Sequence, residues 1–166
     1  SEDIPNIELY MDQVTSFMDE QLSSSKRYDD DKILTKTMIN NYAKNNLLPP
    51  PVKKKYSKEH VVVMIFIYYF KTILSIKDIE TILTPITEKY FDTDSAVDVA
   101  SIYEEVCDTA KSQIQNLKDE VREAYETSQN TFKDMEGLSD SDREYLQLFS
   151  LISSLSFDVY AKKALI

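Results

Sequence analysis

Seven lysines stand between residues 32 and 58 with no carboxylate among them: Lys32, Lys36, Lys44, Lys53, Lys54, Lys55 and Lys58. Such a run can neutralise the phosphates of a polyanion. The other residues able to do chemistry are few. His60 is the one histidine and Cys107 the one cysteine, which excludes a His/Cys zinc cluster and an intramolecular disulfide. The serines have no histidine partner in sequence to activate them, so nucleophilic catalysis has no support. Glu104 and Asp108, with Glu105 between them, share a helix face at i, i+4 and could offer oxygens to a hard cation. The plainer reading is a solvated face, because that stretch carries carboxylates throughout. Cys107 reads as a small buried hydrophobe, and His60 as a structural residue at the start of a buried helix. A single glycine, Gly137, excludes a phosphate-cradling P-loop and a dinucleotide-binding turn, which need several. It also argues against a β-sandwich or barrel, whose tight hairpins lean on glycine. The expectation is no enzyme, no cofactor and no metal site.

The charge distribution sharpens this. The chain of 166 residues has a net charge of −10. Residues 1–31 carry −7, residues 32–83 carry +6 and residues 84–166 carry −9. An acidic molecule with one basic island has a strong dipole, which orients an encounter with a polyanion. The alternative is that the island pairs with the acidic flanks of its own chain. The acidic opening Ser1-Glu2-Asp3 has no basic run with an apolar stretch behind it, so no signal peptide is expected. The longest apolar run, residues 61–70, is half the length of a bilayer span. A soluble, cytoplasmic chain without membrane contact is expected.

The elements that must position the island are helical. Ile7, Tyr10, Val14, Phe17 and Met18 predict a first helix over 7–22, with Asn6 as its N-cap. A polar loop over 23–31 follows. Thr35 opens a second helix with Met38, Ile39 and Tyr42 inward, ending at Asn45-Asn46, where asparagine can take the left-handed cap conformation. Pro49-Pro50-Pro51 cannot be helical. Ser57 caps a third helix over 57–74, and the alternative of a buried strand over 61–70 yields to this cap and to the apolar residues beyond Lys71. Ser75 and Asp78 open a fourth helix with Ile76, Ile79, Ile82 and Leu83 inward, closed by Thr84-Pro85. Farther on, Val99, Tyr103, Val106, Ala110, Ile114, Leu117, Val121 and Tyr125 recur about every 3.7 residues, the period of a straight amphipathic helix. That helix could reach Met135, a span of about 60 Å. Gly137 and Ser139 stop and restart the chain, and Leu146, Phe149, Ile152, Leu155 and Val159 mark a last helix running toward Ile166.

This order of elements resembles a MerR-type winged helix-turn-helix. The resemblance rests on Thr35-Lys36-Thr37-Met38-Ile39-Asn40-Asn41-Tyr42, Leu47-Leu48-Pro49-Pro50, Tyr56-Ser57-Lys58-Glu59-His60 and Leu74-Ser75-Ile76-Lys77-Asp78-Ile79. More closely, residues 4–83 resemble an uncharacterised domain-of-unknown-function family for which a MerR-like fold is implied. The resemblance implies a recognition helix opening at Thr35, whose cap could meet a phosphate together with Lys36 and Lys44. Tyr42 matches a tyrosine set against the DNA backbone, although a tyrosine on an apolar stripe also suits a core. Lys54 stands where the wing often has arginine, flanked by Lys53 and Lys55, and Tyr56 matches the tyrosine that closes the wing ahead of Lys58. Asn40-Asn41 replaces the usual Arg-Tyr pair, and Ala43 replaces an acidic residue. Asparagine can still read adenine in the major groove. The wing is several residues shorter than usual.

The chain therefore reads as an all-α protein, with a winged helix-turn-helix of minimal wing over 4–84 and a helical appendage over 92–166. The expected function is double-stranded DNA binding by a transcriptional regulator. The appendage is expected to make a homodimer, since one small reader contacts few base pairs and two helices cannot cover both their apolar faces. The alternative is a helical protein-interaction module that keeps the fold without DNA binding.

Overall fold

The computed structural model describes residues 4–166; the acidic Ser1-Glu2-Asp3 opening lies outside them. Among the described residues there are six α-helices and one sheet of two very short strands. The chain starts with a departure from the expected helix over 7–22. Leu9–Tyr10 is a strand, β1, paired antiparallel with β2, Lys55–Tyr56, in the register Leu9 to Tyr56 and Tyr10 to Lys55. Helix α1, Met11–Gln21, begins only after it, with Tyr10 and not Asn6 as the N-cap. The side chain of Gln13 accepts the Tyr10 N–H at 2.8 Å. The cause is packing: Leu9 is buried against the core beside Tyr56, while Ile7 and Tyr10, assigned inward by the helical period, are exposed.

From there the caps act as the sequence suggests. Thr35 Oγ1 accepts the Met38 N–H at 3.2 Å and starts α2, Lys36–Lys44, whose inner face buries Ile39 and Tyr42. Asn46 ends the turn with φ of 57°. The N–H groups of Leu47 and Leu48 both donate to the Tyr42 carbonyl, which folds these two leucines into the core. Helix α3, Lys58–Phe70, is buried on nearly every side, which is why its sequence shows an apolar run without helical alternation. It stops at Phe70, four residues short of the expected end, and the N–H groups of Ile73 and Leu74 close the turn on the Phe70 carbonyl.

Helix α4, Ile76–Tyr90, starts at the Ser75–Asp78 capping box but does not end at Thr84-Pro85. Pro85 lies inside it. The helix continues because Ile86, Tyr90 and Phe91 pack on the core, and Thr87 Oγ1 donates to the carbonyls of Leu83 and Thr84 at 3.1 Å near the proline. Ile79 and Leu83 are buried, whereas Ile76 and Ile82, also expected inward, are exposed.

Two compact units divide the chain, the first ending at Cys107 and the second running from Asp108 to Ile166. Helix α5, Val99–Gln129, starts in the first unit, where Val99 is buried and Tyr103 meets Phe66 edge-on at 5.7 Å. It ends at Gln129, short of Met135. In the second unit, α6, Asp140–Leu165, is capped by Ser139 Oγ, which accepts the Asp142 N–H at 3.1 Å. All 21 buried apolar side chains among the described residues lie between Ile4 and Val99. Among these residues no helix is long and apolar enough to cross a membrane.

Candidate nucleic-acid interface

The packing of α2 decides what its outer side presents. With Ile39 and Tyr42 turned into the core, Lys36, Asn40, Asn41 and Lys44 are all exposed. Thr35 is half-buried and committed to its cap. The Tyr42 side chain is core; burial pushes its hydroxyl above the ordinary value, and it lines a hollow of about 420 Å³ with Asn41, Lys44 and Ile76.

The second group of candidates sits on a tight hairpin turn. Val52 and Lys55 exchange both backbone hydrogen bonds, at 3.1 and 2.9 Å. Between them Lys53 and Lys54 take φ of 50° and 66°, the pattern of a type I′ turn made without Asn or Gly. Both are exposed. Lys55 instead turns back, donating to Glu8 at 3.2 Å and lying over the Tyr10 ring. Tyr56 is buried and its hydroxyl, like that of Tyr42, is raised by burial. Lys58 is half-buried and within electrostatic reach of Asp98.

Sequence reasoning missed two members of this region, Glu8 and Asp12. Lys36 pairs with Asp12, as Lys55 does with Glu8, so the start of α2 and the hairpin are both tied to carboxylates four residues apart at the β1–α1 junction. The acidic balance of residues 1–31 was the available signal. Part of the island is thus compensated by its own chain. Lys32, Lys44, Lys53 and Lys54 enter no ion pair among the described residues.

His60 locks the turn to α3. Ser57 donates its N–H and hydroxyl to Nδ1, at 3.0 and 2.8 Å, so Nε2 carries the proton and donates to the Pro50 carbonyl at 3.3 Å. The ring lies edge-on to Tyr56 and Phe91. Burial holds its pKa below the usual 6.5, with the Pro50 carbonyl and the Asp92 charge opposing that shift. Cys107 is half-buried, more open than a core hydrophobe, and Asp108 pairs with Lys111 at 3.1 Å.

No curated protein and no solved structure matches the chain. Residues 1–106 match a family described as a domain of unknown function, DUF1836, and that match takes in α1 to α4, the hairpin turn and the first turns of α5. With well over half its length so matched, the chain belongs to the DUF1836 family.

Proposed function

We propose that the protein binds double-stranded DNA as a transcriptional regulator, using a winged helix-turn-helix of the MerR type. In this reading α2 is the recognition helix, and the Val52–Lys55 turn is a minimal wing. One observation carries it. The exposed side of α2 offers two asparagines and Lys44, and the turn offers Lys53 and Lys54, with none of these three lysines spent on an ion pair among the described residues. Asn40 or Asn41 would read a base edge, Lys44, Lys53 and Lys54 would meet phosphates, and Thr35 with the α2 N-terminus would favour an anion.

The test is a salt titration of binding to duplex DNA. The logarithm of affinity should fall linearly with the logarithm of salt, with a slope of about −0.9 per phosphate neutralised. Lys53→Ala and Lys54→Ala should each flatten the slope by about one unit, whereas Lys55→Ala should change it less, because Lys55 is already paired with Glu8. Absence of binding at 50 mM salt would overturn the proposal.

A second reading, a protein-interaction module on the same scaffold, is favoured by one specific observation. Glu8 and Asp12 sit beside the lysines that a DNA footprint would use, and their charge opposes a phosphate backbone. The same titration separates the two.

A further inference from the structure

The unit from Asp108 to Ile166 buries no apolar side chain; its two buried residues, Ser128 and Gln147, are polar. Helix α6 is nevertheless apolar on two sides. Ser154, Leu155 and Asp158 share a hollow of about 360 Å³ with Leu117 and Val121 of α5, and Lys162 bridges to Glu120, so this side faces its own hairpin. At 3.6 residues per turn, Tyr145, Phe149, Ile152, Ser156, Val159 and Lys163 fall on the other side. Their spacing alternates four and three residues, the pattern of a helix–helix seam.

We propose that this outer face of α6 pairs antiparallel with the same face of a second copy, joining two α5–α6 hairpins into a four-helix bundle. The proposal stands apart from the DNA reading. Area supports it. Tyr145, Leu148, Phe149, Ile152, Val159 and Tyr160 are 52 to 70 % exposed. At roughly 150–250 Å² for a large side chain they present about 700 Å², more than a typical largest patch and close to the 800 Å² each partner buries in a stable complex.

Charge selects the second copy and the direction. Residues 145–157 carry no charge; Asp142 borders this face before them and Lys163 lies on it after. Asp140 and Glu144 share the azimuths of Asp158 and Lys162 on the hairpin side, and Arg143 is spent on carbonyls of the α5–α6 connection. Lys163 enters no ion pair among the described residues, because Lys162 alone is spent on Asp158 and Glu120. Parallel pairing would set acid on acid and base on base. Antiparallel pairing about an axis near residue 154 carries the seam onto itself: Phe149 meets Val159 of the second copy, Ile152 meets Ser156, and Lys163 comes beside Tyr145 and Asp142. The face is thus complementary to itself only when reversed.

The test is the mass of the full chain in solution without DNA, by sedimentation across micromolar concentrations. A dimer is expected, with a melting temperature that rises with protein concentration. Ile152→Glu and Phe149→Glu, both at exposed positions, should each yield a monomer. Lys163→Glu should weaken the dimer about fivefold to tenfold at low salt, through two symmetric contacts, and the effect should fade at high salt. A wild-type monomer would overturn the proposal, as would a dimer indifferent to the two glutamate variants. A dimer weakened by them but not by Lys163→Glu would overturn the antiparallel direction.

Discussion

Lys53 and Lys54 hold the two central positions of their turn at positive φ, where a side chain with a Cβ is strained. Replacing the pair by Asn-Gly should stabilise the protein by about 1–2 kcal/mol in denaturant unfolding. Under the DNA proposal the same variant should bind duplex more weakly, so stability and binding would move in opposite directions. The resemblance placed a wing at Lys53–Lys55, but the type of its turn could not be read from sequence, since primed turns are signalled by glycine and asparagine and the chain has neither there. Thr35, Ser57 and Ser75 were readable as caps because each stands just ahead of an apolar helical pattern, whereas Ser139, followed by five polar residues, was readable only as a restart of the chain. His60 was readable only as structural; Nδ1 is held by Ser57 three residues before it, but Nε2 depends on Pro50, which no sequence pattern ties to it. Its pKa lies below that of the unfolded chain, so as pH falls below about 6.5 the unfolded state takes up a proton first and stability drops, levelling off below the folded value. Each unit of depression corresponds to about 1.4 kcal/mol. Glu59 acts with the opposite sign, since burial raises its pKa and its contribution is lost as pH rises above about 4.5. Comparison with His60→Gln isolates the histidine, because Glu59 is common to both and glutamine keeps an acceptor for the Ser57 N–H. The stability advantage of the wild type over His60→Gln should shrink between pH 7.5 and 5; a constant difference would refute the assignment.

The α5–α6 connection shows how a helix end is fixed from outside. After Gln129 the carbonyls of α5 are no longer met by its own N–H groups, and α6 supplies donors in their place. Gln147 donates to the Gln129 and Thr131 carbonyls at 2.9 and 3.2 Å, and Arg143 donates to those of Phe132, Lys133 and Met135. The sequence agrees with this stop short of Met135, since Asn130, Thr131 and Phe132 are weak helix formers and Phe132 takes a φ of 58°. Gln147→Ala should therefore cost about 1 kcal/mol, because two part-buried carbonyls lose the donor that the buried Gln147 supplies. Thermal unfolding followed by helical circular dichroism would check it, and an unchanged transition would mean that the turn is held by Arg143 alone. Periodicity located α5 and α6 correctly but could not say which residues of the stripe would be covered. Val99 and Tyr103 join the N-terminal core, whereas Val106, Ile114, Leu117, Val121 and Tyr125 on the same stripe stay exposed. Likewise the strand at Leu9–Tyr10 spans two residues, too few for an alternating pattern, and its partners lie 45 and 47 positions away.

Across the whole chain the uneven charge was plain in the sequence, and the uneven core was not. Counting apolar residues distributes hydrophobicity evenly, with 42 % in the chain overall, yet the buried ones stop at Val99. The difference arises because α3 is wrapped by the elements of the first unit, while α5 beyond Cys107 has one helix to lie against. Stability must then be equally uneven. A chain of residues 1–107 keeps all 21 buried apolar side chains, both strands and α1 to α4, so it should fold alone and unfold in one cooperative transition. A chain of residues 108–166 has no buried apolar side chain, and isolated helices without a core are marginal in water. It should be mostly unfolded when dilute and gain helix as its concentration rises, because only a second hairpin can supply the missing contacts. Circular dichroism of the two fragments at several concentrations tests both halves of the argument. An unfolded 1–107 fragment would show that its core depends on the rest of the chain, and a stable, concentration-independent 108–166 fragment would show that the hairpin needs no cover.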